Sequence, residues 1–418
     1  MKDYLFLVLL FFIVSCEQDA KVETYDMQTE QNSHEIINKK SNISCNLDLA
    51  SSLNSYSFEL YRGVKVDKEN LFISPLSTYF ALLVASEGSG GETKKEFKKT
   101  LYLNNVELLS SFNNFYNTLV TFIDSSNNLN ISNAIWIKCD FQIENTYRKN
   151  VISKYMADIK PVDFSKRQEA ASEINEWVSN KTKGLIESII NERDIDKLTR
   201  IIISNAIYFI GNWEAKFDKE LTKPDNFYSI SKVKSKVDFM HKTEYLKYFE
   251  NDEIQFVSKP YKGNDKSFCI ILPRKLYDIA EIEGKLNTTL LNTILNNSNH
   301  IEIELSIPKF KMETNYSLKT PLANMGLEKA FTQEADFSFI TEEDNEPLWI
   351  NGINHRAFIE INEEKTTAAA VTYTTMVGGV EDPKTQPKVF KADHPFIFMI
   401  IDNKTKGIIF IGRYVQPK

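Results

Sequence analysis

The chain has 418 residues, of which 42% are hydrophobic and 12% aromatic, enough for a sizeable core and too apolar for a disordered chain. Its 50 basic and 57 acidic residues are interspersed and leave a net charge of -7, so no basic patch marks a nucleic-acid partner. The four cysteines, Cys16, Cys45, Cys139 and Cys269, form no CxxC pair, which argues against a disulfide scaffold or a zinc knuckle.

The first sixteen residues read as a signal. Lys2 supplies a positive start, and Leu5 to Val14 form an apolar stretch too short to span a membrane comfortably. It ends at Ile13-Val14-Ser15-Cys16, which resembles the bacterial lipobox, where the cysteine is acylated and becomes the new N-terminus. An ordinary secretory signal cleaved nearby is the other reading, and both imply export. With Cys16 lipidated, the protein would be held to the cell envelope by that lipid alone, without a spanning helix. Residues 17–46 are polar and suit a flexible spacer, so a single domain is expected over 47–418.

Leu49, Leu53, Tyr56 and Leu60 recur at helical spacing and predict a first amphipathic helix. Further helices are expected from Tyr79 to Glu87, Leu108 to Ile123 and Glu169 to Asn191, the last with Ile174, Trp177 and Val178 on one face. Strand-like runs occupy Ile131 to Lys138, Ile201 to Phe209, Phe268 to Leu272 and Ile301 to Ile307. In the last of these, Ile301, Ile303, Leu305 and Ile307 alternate with Glu302, Glu304 and Ser306, the mark of a half-buried strand. Ala357 to Ile361, Phe396 to Ile401 and Gly407 to Gly412 follow. Helices and strands mix without a regular βαβ alternation, which points to an α+β fold.

One segment stands apart. Thr366 to Val380 reads TTAAAVTYTTMVGGV, free of charge and proline, and then gives way to the proline-broken Glu381-Asp382-Pro383-Lys384-Thr385-Gln386-Pro387. It reads either as an edge strand with a loop, or as a segment with an exposed and a strand-like state. Composition leaves both open.

Enzymatic constellations are hard to find. There is no G-x-S-x-G elbow, and Asn38 stands where a second histidine would complete the His34-Glu35 start of a zinc-protease helix. Gly88-Ser89-Gly90-Gly91-Glu92-Thr93 lacks phosphate-loop spacing. Five histidines are scattered singly, so no metal is expected, while a triad assembled only in space is left open.

The motifs that remain resemble the serpin family nearly throughout, from Leu47 to Pro417. They begin with Asn70-Leu71-Phe72-Ile73-Ser74-Pro75-Leu76-Ser77 and with Ile174-Asn175-Glu176-Trp177-Val178. Ser204-Asn205-Ala206-Ile207-Tyr208-Phe209-Ile210-Gly211-Asn212-Trp213 is the most specific of them. Pro260-Tyr261, Leu272-Pro273, Pro308-Lys309-Phe310 and Ala335-Asp336-Phe337-Ser338 follow in family order. Phe390-Lys391-Ala392-Asp393-His394-Pro395-Phe396-Ile397-Phe398 closes the series.

The resemblance implies three β-sheets surrounded by about eight or nine helices and an exposed reactive-centre loop. It implies an inhibitor, not an enzyme: a suicide substrate without a cofactor, expected as a monomer. Its partner would be a serine protease, with a cysteine protease as the second candidate. Matched positions put a "shutter" at Ser74, Ser77, Asn205 and His355, and a "breach" at Trp213 with a Glu363–Lys309 pair. The loop's hinge would be Glu363, Lys365, Thr366, Ala368, Ala370 and Thr372. Lys365 departs from the family's usual glycine, and the stretch before Phe390 is a few residues long. Family spacing counted from Glu363 ends at Gly379, making Gly379–Val380 the formal reactive bond. Met376, Val377 and Gly378 are the other candidates, and the apolar pair among them suits an elastase-like or subtilisin-like target. A non-inhibitory serpin, acting as binder or chaperone, is the alternative.

Overall fold

The computed structural model describes residues 49–103, 115–119, 127–341, 347–364 and 386–417. Contacts divide the chain between Ile43 and Ser44, and all of these residues belong to the second unit, Ser44–Lys418. Nine α-helical segments occur among the described residues. The first, α1 (49–64), buries Leu49, Leu53, Tyr56 and Leu60 on the face their spacing predicts.

A short strand, β1 (Leu71–Ile73), leads into α2 (Pro75–Glu87), whose residues from Pro75 to Ser86 are all buried. A helix apolar on every side can only sit at the centre of a fold. Ser74 caps it, its Oγ accepting from the Ser77 N–H, and Pro75 occupies the first turn, where a missing N–H costs nothing. At the other end Gly88 is obligatory, because a Cβ there would run into Ile340 and the Tyr147 ring.

The smaller sheet has five strands: β2 (Asn127–Lys138), β3 (Asp158–Val162), β4 (Ile201–Gly211), β10 (Phe310–Ser317) and β11 (Ile350–Ile361). Their order is β10-β11-β4-β2-β3, and β11 runs parallel to β4. One face lies against α3 (Arg167–Lys181), where Trp136 meets Trp177 edge-on at 6.0 Å. The other faces the main core around α2.

The larger sheet has nine strands. Beside β1 these are β5 (Lys223–Tyr228), β6 (Lys234–Glu250), β7 (Ile254–Pro260), β8 (Lys266–Pro273), β9 (Asn299–Pro308), β12 (Lys388–Lys391), β13 (Phe396–Asp402) and β14 (Ile408–Tyr414). Where the resemblance implies three sheets, hydrogen bonding here joins two of them through β6. Residues 234–239 of that 17-residue strand pair with β5, and residues 247–250 pair with β7.

One helix boundary differs from expectation. The helix predicted from Glu169 to Asn191 stops at Lys181, since Lys183 (φ 53°) and Gly184 (φ 77°) turn into the left-handed region. Thr182 Oγ1 then takes the Ile186 N–H, and Ile186, Ile189 and Ile190 reach the same core by a coil. Helical periodicity alone does not see such a break.

Candidate functional site

Strands β4 and β11 pair in register from Ile201 and Ile350 only as far as Ala206 and Arg356. Both continue for five more residues. Residues 207–211 stay bonded to β2 on their far side, and residues 357–361 stay bonded to β10. Toward each other they have no register pairs, and a cavity of about 160 Å³ lies there. Phe209, Gly211, Trp213, Phe358, Ile359 and Ile361 are among the residues that line it. Two parallel strands whose shared register ends part-way along frame a space between their remaining lengths.

Where the zipped half ends, a polar row crosses the sheet. Asn133 of β2, Asn205 of β4 and His355 of β11 are neighbours in register and buried beneath α2. Asn205 Nδ2 donates to Asn133 Oδ1 at 2.6 Å and to the Ser77 carbonyl at 2.9 Å. The Ser74 N–H donates to His355 Nε2 at 3.0 Å, so that nitrogen must be the bare acceptor. Nδ1 then carries the proton and gives it to Asn205 Oδ1 at 3.1 Å. Burial pulls the imidazole down to about 3, which keeps His355 neutral and matches the tautomer. Ser74 also ties the row to the larger sheet, its hydroxyl donating to the Ile409 carbonyl at 2.8 Å.

The structure thus brings Ser74, Ser77, Asn205 and His355 together. Ser77 joins through its backbone, and its hydroxyl has no hydrogen-bond partner among the described residues. Asn133 was not foreseen. It is one of four asparagines in β2, with Asn127, Asn128 and Asn130, and nothing in the sequence marks it out from the others.

A second cluster closes the top of the gap. Trp213, just past β4, donates from Nε1 to the Asn362 carbonyl at 2.8 Å, and the Phe217 N–H donates to the Glu363 carbonyl at 3.2 Å. The indole stacks on Tyr261 at 4.7 Å. Glu363 Oε1 meets Lys309 Nζ at 3.0 Å and accepts from Thr222 Oγ1 at 2.8 Å. Burial pushes this carboxyl up, but its own backbone N–H, Thr222 and Lys309 together hold it below the usual carboxylate range.

Other predicted positions lie outside the described residues: Cys16, the hinge positions Lys365, Thr366, Ala368, Ala370 and Thr372, and the reactive-bond candidates from Met376 to Val380. The predicted helix over Leu108 to Ile123 is described only at 115–119, which is helical.

The serpin (serine protease inhibitor) family profile matches residues 51–417. An uncharacterized serpin-like protein of Thermococcus kodakarensis is 35% identical over 88% of this chain and 86% of its own length. Iripin-8 of Ixodes ricinus is 37% identical over 83% and 88%, and the leukocyte elastase inhibitor of Xenopus laevis is 32% identical over 88% and 100%. The native-state crystal structure of the thermophilic serpin tengpin superposes with a TM-score of 0.79 at 32% identity, covering 88% of this chain and 94% of that one. The fold is that of a serpin, and the chain belongs to the serpin family.

Proposed function

We propose that this protein inhibits a serine protease as a suicide substrate, its cleaved loop entering the gap between β4 and β11. The observation that carries the reading is that β4 and β11 share no register past Ala206 and Arg356 and have a cavity between them, with β11 leading directly into the segment that starts at Lys365. The inserting side of that segment offers Thr366, Ala368, Ala370 and Thr372, small side chains at alternate positions that would share one face of a strand. At roughly 1 kcal/mol net for each new hydrogen bond, about ten to fifteen of them would outweigh the distortion of a trapped enzyme.

Apolar side chains at Met376 and Val377 favour an elastase-like or subtilisin-like target, cut between Met376 and Val380. Incubation with such a protease should give a covalent complex that survives a denaturing gel. Thr366→Arg should be cut at the same bond yet release the enzyme, because an arginine would carry a charge into the gap at a cost of several kcal/mol. Undiminished trapping by Thr366→Arg would rule out insertion. Binding without cleavage would favour the non-inhibitory alternative.

A further inference from the structure

The segment that carries Trp213 is itself gripped from the opposite side. Lys259, in β7, is 1% exposed, which is rare for an ammonium. It pairs with Glu244 of β6, donates to the Ala215 carbonyl at 2.8 Å, and lies 4.7 Å from the centre of the Phe217 ring and 5.5 Å from that of Trp213. Lys242 of β6 donates to the next carbonyl, Lys216, at 2.8 Å. Residues 213–217 are therefore held to β6 and β7 on one side, while on the other Trp213 and Phe217 bond to Asn362 and Glu363.

These two sides belong to different halves of the gap. Trp213 follows β4, whereas Asn362 and Glu363 follow β11. A strand entering between them must part them by about 4.8 Å, so both bonds cross its path and must break. If residues 213–217 were loose they could follow β11 outward, the bonds would survive, and they would resist nothing. A buried ion pair is also a poor way to gain stability, since apolar residues of similar volume often do as well. Hydrogen-bonding a carbonyl while covering two ring faces is something an apolar side chain does not do.

We infer that Lys259 is a positioning residue for sheet opening: it anchors residues 213–217 so that their bonds to Asn362 and Glu363 hold the gap shut until the loop is cut. The inference rests on the loop-insertion reading above. Lys259→Met/Glu244→Gln removes both charges and keeps the volume, leaving no uncompensated ion. The uncut variant should convert on warming to the heat-stable, inserted form about tenfold faster than wild type.

A second arm needs no substitution. Burial draws the Lys259 ammonium down to about 8, against the pull of Glu244 and with the help of Lys242, while residues 213–217 face it with the Ala215 carbonyl and two rings. Conversion of the wild type should therefore quicken between about pH 7 and pH 9 as the ammonium discharges, and the double variant should show no such step. A residue that merely fills the core would alter the unfolding of cut and uncut forms alike and produce no pH step. Equal conversion rates with identical pH profiles would overturn the inference and leave the loop-insertion reading standing. Failure of the cut wild type to gain heat stability would remove that reading, and this inference with it.

Discussion

The polar row around His355 and the cluster around Trp213 tie the same strand pair by opposite means. In the row, Asn205 and His355 are fully enclosed and Asn133 nearly so, all neutral and joined by directional hydrogen bonds. In the cluster, the Lys309 side chain is 35% exposed and holds a carboxylate that is itself 7% exposed, so water and salt reach one partner. Enclosed neutral bonds specify one register and are costly to leave half-made. A half-open ion pair contributes less, but it can be parted and remade without unfolding the sheet. The middle of the strand pair is held by buried neutral bonds, and its top in part by an ion pair that solvent reaches.

The largest expected effect comes from Asn205→Ala. It strips the Ser77 carbonyl, Asn133 Oδ1 and the His355 Nδ1 proton of their partner at once, and should cost about 4 kcal/mol in urea denaturation of the uncut protein. A cost under about 1 kcal/mol would mean that the row is not what binds β2, β4 and β11 together. Acid supplies the next effect. His355 has a folded value of about 3 against an ordinary 6.5, so its contribution is complete above pH 6.5 and is lost as pH falls toward 3. Between pH 6.5 and 5, before most carboxylates titrate, about 2 kcal/mol should disappear. His355→Gln offers a donor and an acceptor without titrating, and should flatten that slope. An unchanged slope would show that the acid sensitivity lies elsewhere, with His241 the next histidine to examine.

The smallest effect belongs to the ion pair. Lys309→Met should cost about 1 kcal/mol, and about 0.5 M salt should shrink the difference from wild type. Asn205→Ala should be indifferent to the same salt. Equal salt sensitivity at both sites would erase the distinction between them.

Much of this arrangement is legible in the sequence. Ser74-Pro75 before an apolar run states the entry to α2, and the β-prone run from Ile201 to Phe209 states the strand β4. His355 and Glu363 follow from family motifs. What escapes the sequence is what depends on long-range packing. β6 carries seven charged residues and reads as surface because half of its length is solvated, yet it joins two parts of a sheet. Lys259 reads as another exposed lysine, since nothing local reveals that Glu244, Ala215 and Phe217 surround it. Asn133 is an amide like any other until Asn205 is placed beside it.

Ser74 spends its two polar groups on different sheets: its amide on His355 in β11, its hydroxyl on Ile409 in β14. On the ribosome, β14 is made after every other element described, and β11 shortly before it. The helix cap therefore waits for partners that lie 281 and 335 residues downstream. A nascent chain can collapse around α2, but it cannot tie the row beneath that helix to the larger sheet until β14 has emerged. Assembly of the open-gapped sheet is thus a late event in biosynthesis, and chains stalled before β14 should lack the protection from proteolysis that the finished core confers.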